Sequence, residues 1–80
     1  PREEDAGEIL FELLEDYLET LGLDYSSAAL WAYIEDSRYK SNLSLVRHLL
    51  RDGPAAAMST LLAEGLHESL PELSHLRLEP

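Results

Sequence analysis

The chain holds few residues whose types and spacing could support catalysis. Ser44 and His48 are four positions apart, so on a helix they would lie one turn apart, as a hydroxyl and a general base might. No wider arrangement of nucleophile and base is recognisable around them, and a surface coincidence explains the pair better. Acidic pairs are abundant, but they fall on a solvated helix face with no cleft for a substrate. The sequence therefore predicts a protein that is not an enzyme.

Metal and cofactor binding have equally little support in the sequence. The histidines, His48, His67 and His75, show no ligand spacing, and a zinc site is not expected in a chain without thiols. Asp24 and Ser26 do not continue into a calcium-binding loop, and no glycine-rich loop is present to hold a phosphate. We expect no metal, no cofactor and no small-molecule substrate.

The charge of the chain is concentrated in its first half. Among 80 residues, 16 are acidic and 6 are basic, which gives a formal net charge of −10. Residues 1–36 hold eleven acids and one base, whereas residues 37–80 hold five of each. A nucleic-acid backbone or an anionic membrane would repel such a chain. We therefore expect no nucleic acid and no membrane among its partners.

Length and composition predict one small cytoplasmic domain that needs further support. A chain of this size buries only roughly 60% of its unfolded surface, and such proteins commonly add disulfides, a metal or oligomerisation. Disulfides are excluded because there is no cysteine, which leaves oligomerisation. No apolar run approaches the ~20 residues of a membrane span, and no leader peptide is recognisable. The start at Pro1 leads us to expect a piece of a longer protein.

No segment of the sequence alternates apolar and polar residues as a strand would, so we expect the candidate side chains to lie on helices and on the turns between them. We predict an all-α fold with a single domain over 1–80 and four helices, at about 4–21, 25–36, 43–52 and 54–69. Gly22 is expected to end the first helix in a Schellman turn, and Asp24 to cap the second. Asn42 or Ser41 is expected to cap the third helix. Residues 37–41 are predicted to be a polar connection, and residues 71–80 a loose tail.

The first predicted helix has an apolar face about twice as wide as a surface helix needs. At 100° per residue, its apolar side chains fill an arc of about 200°, and its acidic side chains fill most of the rest. The apolar set is Ile9, Leu10, Phe11, Leu13, Leu14, Tyr17, Leu18 and Leu21, and the acidic set is Glu4, Asp5, Glu8, Glu12, Glu15, Asp16 and Glu19. We expect this helix to be covered from two directions, by the second helix and by either the later helices or a second copy of the chain.

The second predicted helix places its tryptophan away from its apolar face. Leu30, Tyr33 and Ile34 share one face, whereas Trp31 projects about 100° from Leu30. Aromatic anchors are enriched at the centres of interfaces. Two interpretations stay open: Trp31 packs on the third helix of its own chain, or it lies at an interface with a partner.

Residues 13–26, which read LLEDYLETLGLDYS, resemble the LisH (Lis-homology) motif. That motif has an aliphatic pair, a Tyr-Leu pair and a turn glycine, followed by a short second helix with a buried anchor. The matching residues are the pair Leu13 and Leu14, the pair Tyr17 and Leu18, the turn glycine Gly22 and the anchor Leu30. The variant is most similar to LisH motifs of centrosomal and basal-body proteins, such as the FOP-related and oral-facial-digital syndrome proteins.

The resemblance implies a homodimer in which two helix pairs, each spanning about residues 5–37, form a compact bundle. Residues 38–70 would be a helical extension of this pair. The expected function is homodimerisation within a larger cytoskeletal scaffold protein at the centrosome, cilium or basal body. Gly22 and Asp24 are the expected turn residues. The side chains expected at the dimer interface are Leu10, Leu13, Leu14, Tyr17, Leu18, Leu21, Leu30, Trp31 and Ile34.

Other functions stay open at this stage. One is a monomeric helical adaptor that binds a partner helix in a groove lined by Trp31 and the third and fourth helices. A remote one is an acyl-carrier-like domain, because Gly22 to Ser26 superficially resemble the motif that holds the phosphopantetheine arm. The acidic face of the first helix is either a solvated surface or a docking site for a basic segment of another cytoskeletal protein. A smaller basic cluster either contacts that face in a neighbouring subunit or belongs to an ordinary mixed surface: Arg38, Lys40, Arg47 and Arg51.

Overall fold

Helix α1, Ala6–Thr20, is the element on which helices α2 to α4 pack. The computed structural model describes residues 2–76, and this part of the chain contains helices and turns but no strand. The predicted all-α class is confirmed. The later elements are α2 (Ser27–Glu35), α3 (Leu43–Leu50), α4 (Pro54–Ala63) and α5 (Leu66–Ser69), with one-turn 3₁₀ helices at Glu3–Asp5 and Pro71–Leu73.

The core is built around one stripe of α1. Leu10, Leu14 and Leu18 recur every fourth residue, so they share a face, and none of them has exposed surface. Buried side chains of every other α-helix join this stripe in a single cluster: Leu30, Ile34, Val46, Leu49, Ala57, Met58, Leu61 and Leu66. The long apolar face of α1 is thus covered, in part, by its own chain.

The turn between α1 and α2 has the predicted Schellman geometry but a different cap. Gly22 has φ +70°, its N–H donates to the Glu19 carbonyl at 3.0 Å, and the Leu23 N–H donates to the Leu18 carbonyl at 3.3 Å. Ser26, rather than Asp24, caps α2, because the Ser26 side-chain oxygen accepts a hydrogen bond from the Ala29 N–H at 3.1 Å. The prediction of Asp24 as the cap is wrong, since α2 begins two residues later than expected.

Residues 37–41 are not the purely polar connection that was predicted. Tyr39, at the centre of this segment, is only 2% exposed and belongs to the core. The Lys40 carbonyl accepts a hydrogen bond of 2.8 Å from the Gly7 N–H, which ties the segment to the first turn of α1. A Cβ on Gly7 would lie 3.2 Å from that carbonyl oxygen, so glycine is what permits this close approach.

The third and fourth predicted helices are shorter in the structure. Asn42 caps α3 by accepting a hydrogen bond from the Leu45 N–H at 3.0 Å, which decides between Asn42 and Ser41. The prediction of one helix over 54–69 is wrong: α4 ends at Ala63, and Gly65, at φ +107°, starts the separate helix α5. A left-handed residue such as Gly65 cannot continue a right-handed helix.

The break at Gly65 turns the end of the chain back onto the core. Leu66, Leu70 and Leu73 are 0%, 0% and 1% exposed. Residues 71–73 therefore form a docked 3₁₀ turn where a loose tail was predicted, and residues 77–80 lie outside the described residues. None of the helices in this part of the chain is long and apolar enough to cross a membrane.

Replacing Leu14 by alanine should separate the cost of burial from that of helix propensity. Leu14→Ala removes a fully buried side chain and should lower the free energy of unfolding by about 2–5 kcal/mol. Leu13→Ala is the matched control, because it makes the same exchange one residue earlier, at a side chain that is 37% exposed. Urea unfolding should give it a loss of about 1 kcal/mol or less. Equal losses in the two variants would contradict the observed burial pattern.

The Gly7 contact leads to a second stability prediction. Alanine normally stabilises a helix by about 1 kcal/mol relative to glycine. At Gly7 the added methyl group would press on the Lys40 backbone at 3.2–3.3 Å, so Gly7→Ala should instead lower the free energy of unfolding by about 1 kcal/mol. Thermal unfolding followed by circular dichroism measures the sign. A stabilised variant would show that residues 37–41 do not hold this position.

Candidate functional site

The predicted dimer-interface residues fall into two groups in the folded chain. Five of them have no exposed surface and form the core of the single chain: Leu10, Leu14, Leu18, Leu30 and Ile34. A second copy could contact these side chains only if the chain's own core opened. The remaining four are at least partly exposed: Leu13, Tyr17, Leu21 and Trp31. The predicted interface is therefore revised to its exposed members.

One flank of α1 carries an apolar stripe that other helices leave partly uncovered. Leu13 and Leu21 are 37% and 41% exposed, and within residues 2–76 no other large apolar side chain is classed as exposed. Ile9 and Tyr17 are partly buried at the edge of the core. Because these four residues follow one another at four-residue intervals, they lie along one line of the helix surface. We call Ile9, Leu13, Tyr17 and Leu21 the flank stripe.

Trp31 packs on α1 rather than on α3. Its ring meets that of Phe11 edge to face, with 5.3 Å between the ring centroids and 77° between the ring planes. Such pairs are favoured because the positive edge of one ring meets the negative face of the other. The interpretation that Trp31 packs on the third helix of the chain is wrong, because Trp31 pairs with Phe11 of α1 and helices α2 and α3 do not pack on each other in the part of the chain described.

A shallow groove of about 320 Å³ lies beside the aromatic pair. It is lined by Phe11, Trp31, Glu8 and Glu12, so it belongs to α1 and α2. The predicted groove between Trp31 and the third and fourth helices is therefore misplaced, since no residue of α3 or α4 lines this one. We call these four residues the aromatic groove.

A polar network that the sequence did not predict joins residues 37–41 to the end of α4. The Tyr39 hydroxyl donates to Glu64 Oε1 at 2.9 Å, and Arg38 Nη2 donates to Glu64 Oε2 at 2.7 Å and to the Tyr39 hydroxyl oxygen at 3.2 Å. Tyr39 thus links residues 37–41 to the end of α4. The available signal was an aromatic residue inside an otherwise polar segment, since a buried tyrosine usually finds a hydrogen-bond partner.

This network borders a wider groove of about 650 Å³ between α2 and the end of α4. Tyr33 lines the groove together with Tyr39, and burial raises the pKa of both hydroxyls above the ordinary value. At Tyr39 the bond to Arg38 opposes this rise, whereas the bond to Glu64 and its negative charge add to it. Both hydroxyls therefore keep their protons to a higher pH than an ordinary tyrosine does.

The basic residues of the second half pair mostly within their own chain. Arg38 pairs with Glu64 at 2.7 Å, Lys40 with Glu35 at 4.0 Å and Arg51 with Asp52 at 3.6 Å. Exposed pairs of this kind stabilise a fold little. They nevertheless occupy three of the four cations that could contact the acidic face of a neighbouring subunit, which favours the interpretation as an ordinary mixed surface.

No metal-ligand cluster is found in the part of the chain that the structure describes: no three His, Cys, Asp or Glu side chains converge there. Ser44 and His48 both lie exposed on α3. No protein-family model matches the chain, and searches of curated proteins and of solved structures find no match. The surfaces of α1 and α2 are therefore the features from which a function can be inferred.

The Tyr39 network should make stability fall in alkaline solution. Because the pKa of Tyr39 is raised in the folded state, the unfolded chain loses its tyrosine proton first as the pH rises through about 10. Tyr39→Phe should cost about 1–2 kcal/mol at pH 7, since the bond to the Glu64 carboxylate is lost, and should make the alkaline decline shallower. Unfolding midpoints between pH 7 and pH 11 test this.

Tyr33→Phe is the matched control for the Tyr39 variant. The pKa of Tyr33 is also raised by burial, but the Tyr33 hydroxyl makes no hydrogen bond within residues 2–76. We expect a smaller cost at pH 7 than for Tyr39→Phe. An equal cost in both variants would contradict the role assigned to the Tyr39–Glu64 bond.

Proposed function

We propose that the chain is a non-catalytic homodimerisation module of the LisH type, within a larger cytoskeletal scaffold protein of the centrosome or basal body. The observation that carries this proposal is the flank stripe. Leu13 and Leu21 expose more than a third of their surface on one line of α1. Burying a leucine completely is worth roughly 2 kcal/mol, so covering the exposed part of Leu13 and Leu21 would favour association by roughly 1 kcal/mol for each side chain.

A second copy is the proposed cover because identical stripes complement each other. In a two-fold symmetric dimer the same patch of each chain meets itself, and two antiparallel helices can pair along lines of residues spaced by four. Glu8 and Glu15 project about 140° and 160° away from Leu13 on α1. Pairing through the flank stripe therefore keeps Glu8 and Glu15 of the two copies apart, whereas Asp16, about 60° from Leu13, lies beside the paired surface.

The sequence resemblance also supports homodimerisation, but the proposed interface omits the buried residues that the resemblance includes. The LisH-like string at residues 13–26 falls on the second half of α1, the Gly22 turn and the approach to α2. Within this chain α3 and α4 pack on α1 beside the stripe of Leu10, Leu14 and Leu18. The proposed dimer thus forms through the flank stripe, while Leu10, Leu14 and Leu18 stay buried in the core of each single chain.

Sedimentation equilibrium tests the dimer. The native chain should sediment with twice the mass of one chain, and Leu13→Asp should raise the dimer dissociation constant at least about tenfold, since a carboxylate replaces the centre of the stripe. Ala28→Asp is the control, because it adds the same charge at an exposed position of α2. Circular dichroism verifies that both variants fold. A native chain that stays monomeric at all concentrations, or a dimer that persists in Leu13→Asp, would refute the proposal.

A second candidate function is a monomeric adaptor that binds a partner segment at the aromatic groove. The observation that favours it is the Phe11–Trp31 pair beside two carboxylates. Sedimentation does not test this candidate, because an adaptor of this kind needs no second copy; the binding of a basic peptide at the aromatic groove does.

A further inference from the structure

The aromatic groove is large enough for one long side chain. Its volume of about 320 Å³ is at the small end of ligand pockets. In the edge-to-face pair of Phe11 and Trp31, the ring that presents its edge keeps both faces clear of the other ring. The electron-rich face of an aromatic ring attracts a cation within about 6 Å of its centroid, and tryptophan does so most strongly.

The carboxylates of the groove have no basic partner in the part of the chain described. Ion pairs within residues 2–76 use Glu4, Glu35, Asp52 and Glu64, and neither Glu8 nor Glu12 takes part in one. Glu8 and Glu12 are one turn apart on α1, and like charges at this spacing repel each other. A cation placed between them would relieve that repulsion while it contacts the aromatic rings.

We propose that the aromatic groove binds an arginine side chain from a basic segment of a partner protein. A guanidinium group is planar, so it stacks on an aromatic ring, and its five N–H donors can serve both Glu8 and Glu12 at once. A lysine ammonium is a compact, strongly hydrated charge that makes neither the stack nor a two-pronged bond to a carboxylate. This inference rests on the second candidate function and does not depend on homodimerisation.

The surrounding charge favours the same partner. Residues 1–36 hold eleven acids and one base, so their field attracts a basic segment and repels an acidic one. The groove also leaves the flank stripe free, because Phe11 and Leu13 are two residues apart and project about 160° from each other on α1. A partner in the groove and a second copy on the stripe would therefore not compete.

Fluorescence anisotropy with labelled peptides tests the proposal. The probes are blocked, alanine-based helical peptides that carry arginines at four-residue spacing, with matched peptides that carry lysine or glutamine instead. The full chain should bind the arginine peptide more tightly than the lysine peptide, and the glutamine peptide should not bind. Binding should weaken as salt is added, because exposed charges are screened.

Variants of the groove assign the binding to named side chains. Replacing Glu8 and Glu12 together by glutamine should raise the dissociation constant of the arginine peptide about tenfold. The control is the double variant Asp16→Asn with Glu68→Gln, which removes two negative charges outside the groove. It should change the dissociation constant of the arginine peptide by less than about threefold. Trp31→Leu, and independently Phe11→Leu if the first variant fails to fold, should raise the constant at least about threefold.

Each contrary result overturns the proposal in a recognisable way. Equal losses in the groove and control variants would mean that only net charge matters. Equal binding of the glutamine peptide would mean that the groove accepts apolar side chains. No binding of the arginine peptide at concentrations up to about 1 mM would mean that the site does not exist. Leu13→Asp should leave the affinity for the arginine peptide unchanged. Peptide binding at the groove and homodimerisation can therefore be refuted independently of each other.

Discussion

The rest of this structure depends on the burial of one line of leucines on α1. Leu10, Leu14 and Leu18 have no exposed surface, and helices α2, α3 and α4 all pack on the helix that carries them. Because an 80-residue chain without cysteine has no disulfide to support it, its fold relies on this apolar contact. The burial also determines what α1 can offer to other molecules, since the line of Leu10, Leu14 and Leu18 is not accessible to them.

The second half of the chain is held on this helix by backbone and polar contacts as well as by apolar ones. The Gly7 N–H and the Lys40 carbonyl join at 2.8 Å, in a space that a larger residue would fill. Tyr39 then connects the same segment to Glu64 at the end of α4. Residues 37–41 therefore act as a clamp between the beginning of α1 and the end of α4, rather than as a linker between two helix pairs.

The proposed functions use the two flanks of α1 for different chemistry. On one flank the partly exposed Leu13 and Leu21 favour an apolar partner, for which a second copy is proposed. On the other, Glu8 and Glu12 flank the rings of Phe11 and Trp31, a combination proposed to bind arginine. A module of this kind would join two copies of its parent scaffold and still present each copy to a basic partner.

Local patterns in the sequence determined the helical class and the Schellman turn at Gly22, and narrowed the cap of α3 to Asn42 or Ser41, because periodicity, a left-handed glycine and a capping side chain each act within a few residues. The wide apolar arc of α1 was also visible, but its width could not say whether the same chain or a second copy covers it. Only the tertiary structure placed Leu10, Leu14 and Leu18 in the chain's own core and left Leu13 outside it. Likewise, only the tertiary structure showed which residues Trp31 and Tyr39 contact. Their partners, Phe11 and Glu64, lie twenty or more residues away, and such contacts arise only when the whole chain packs.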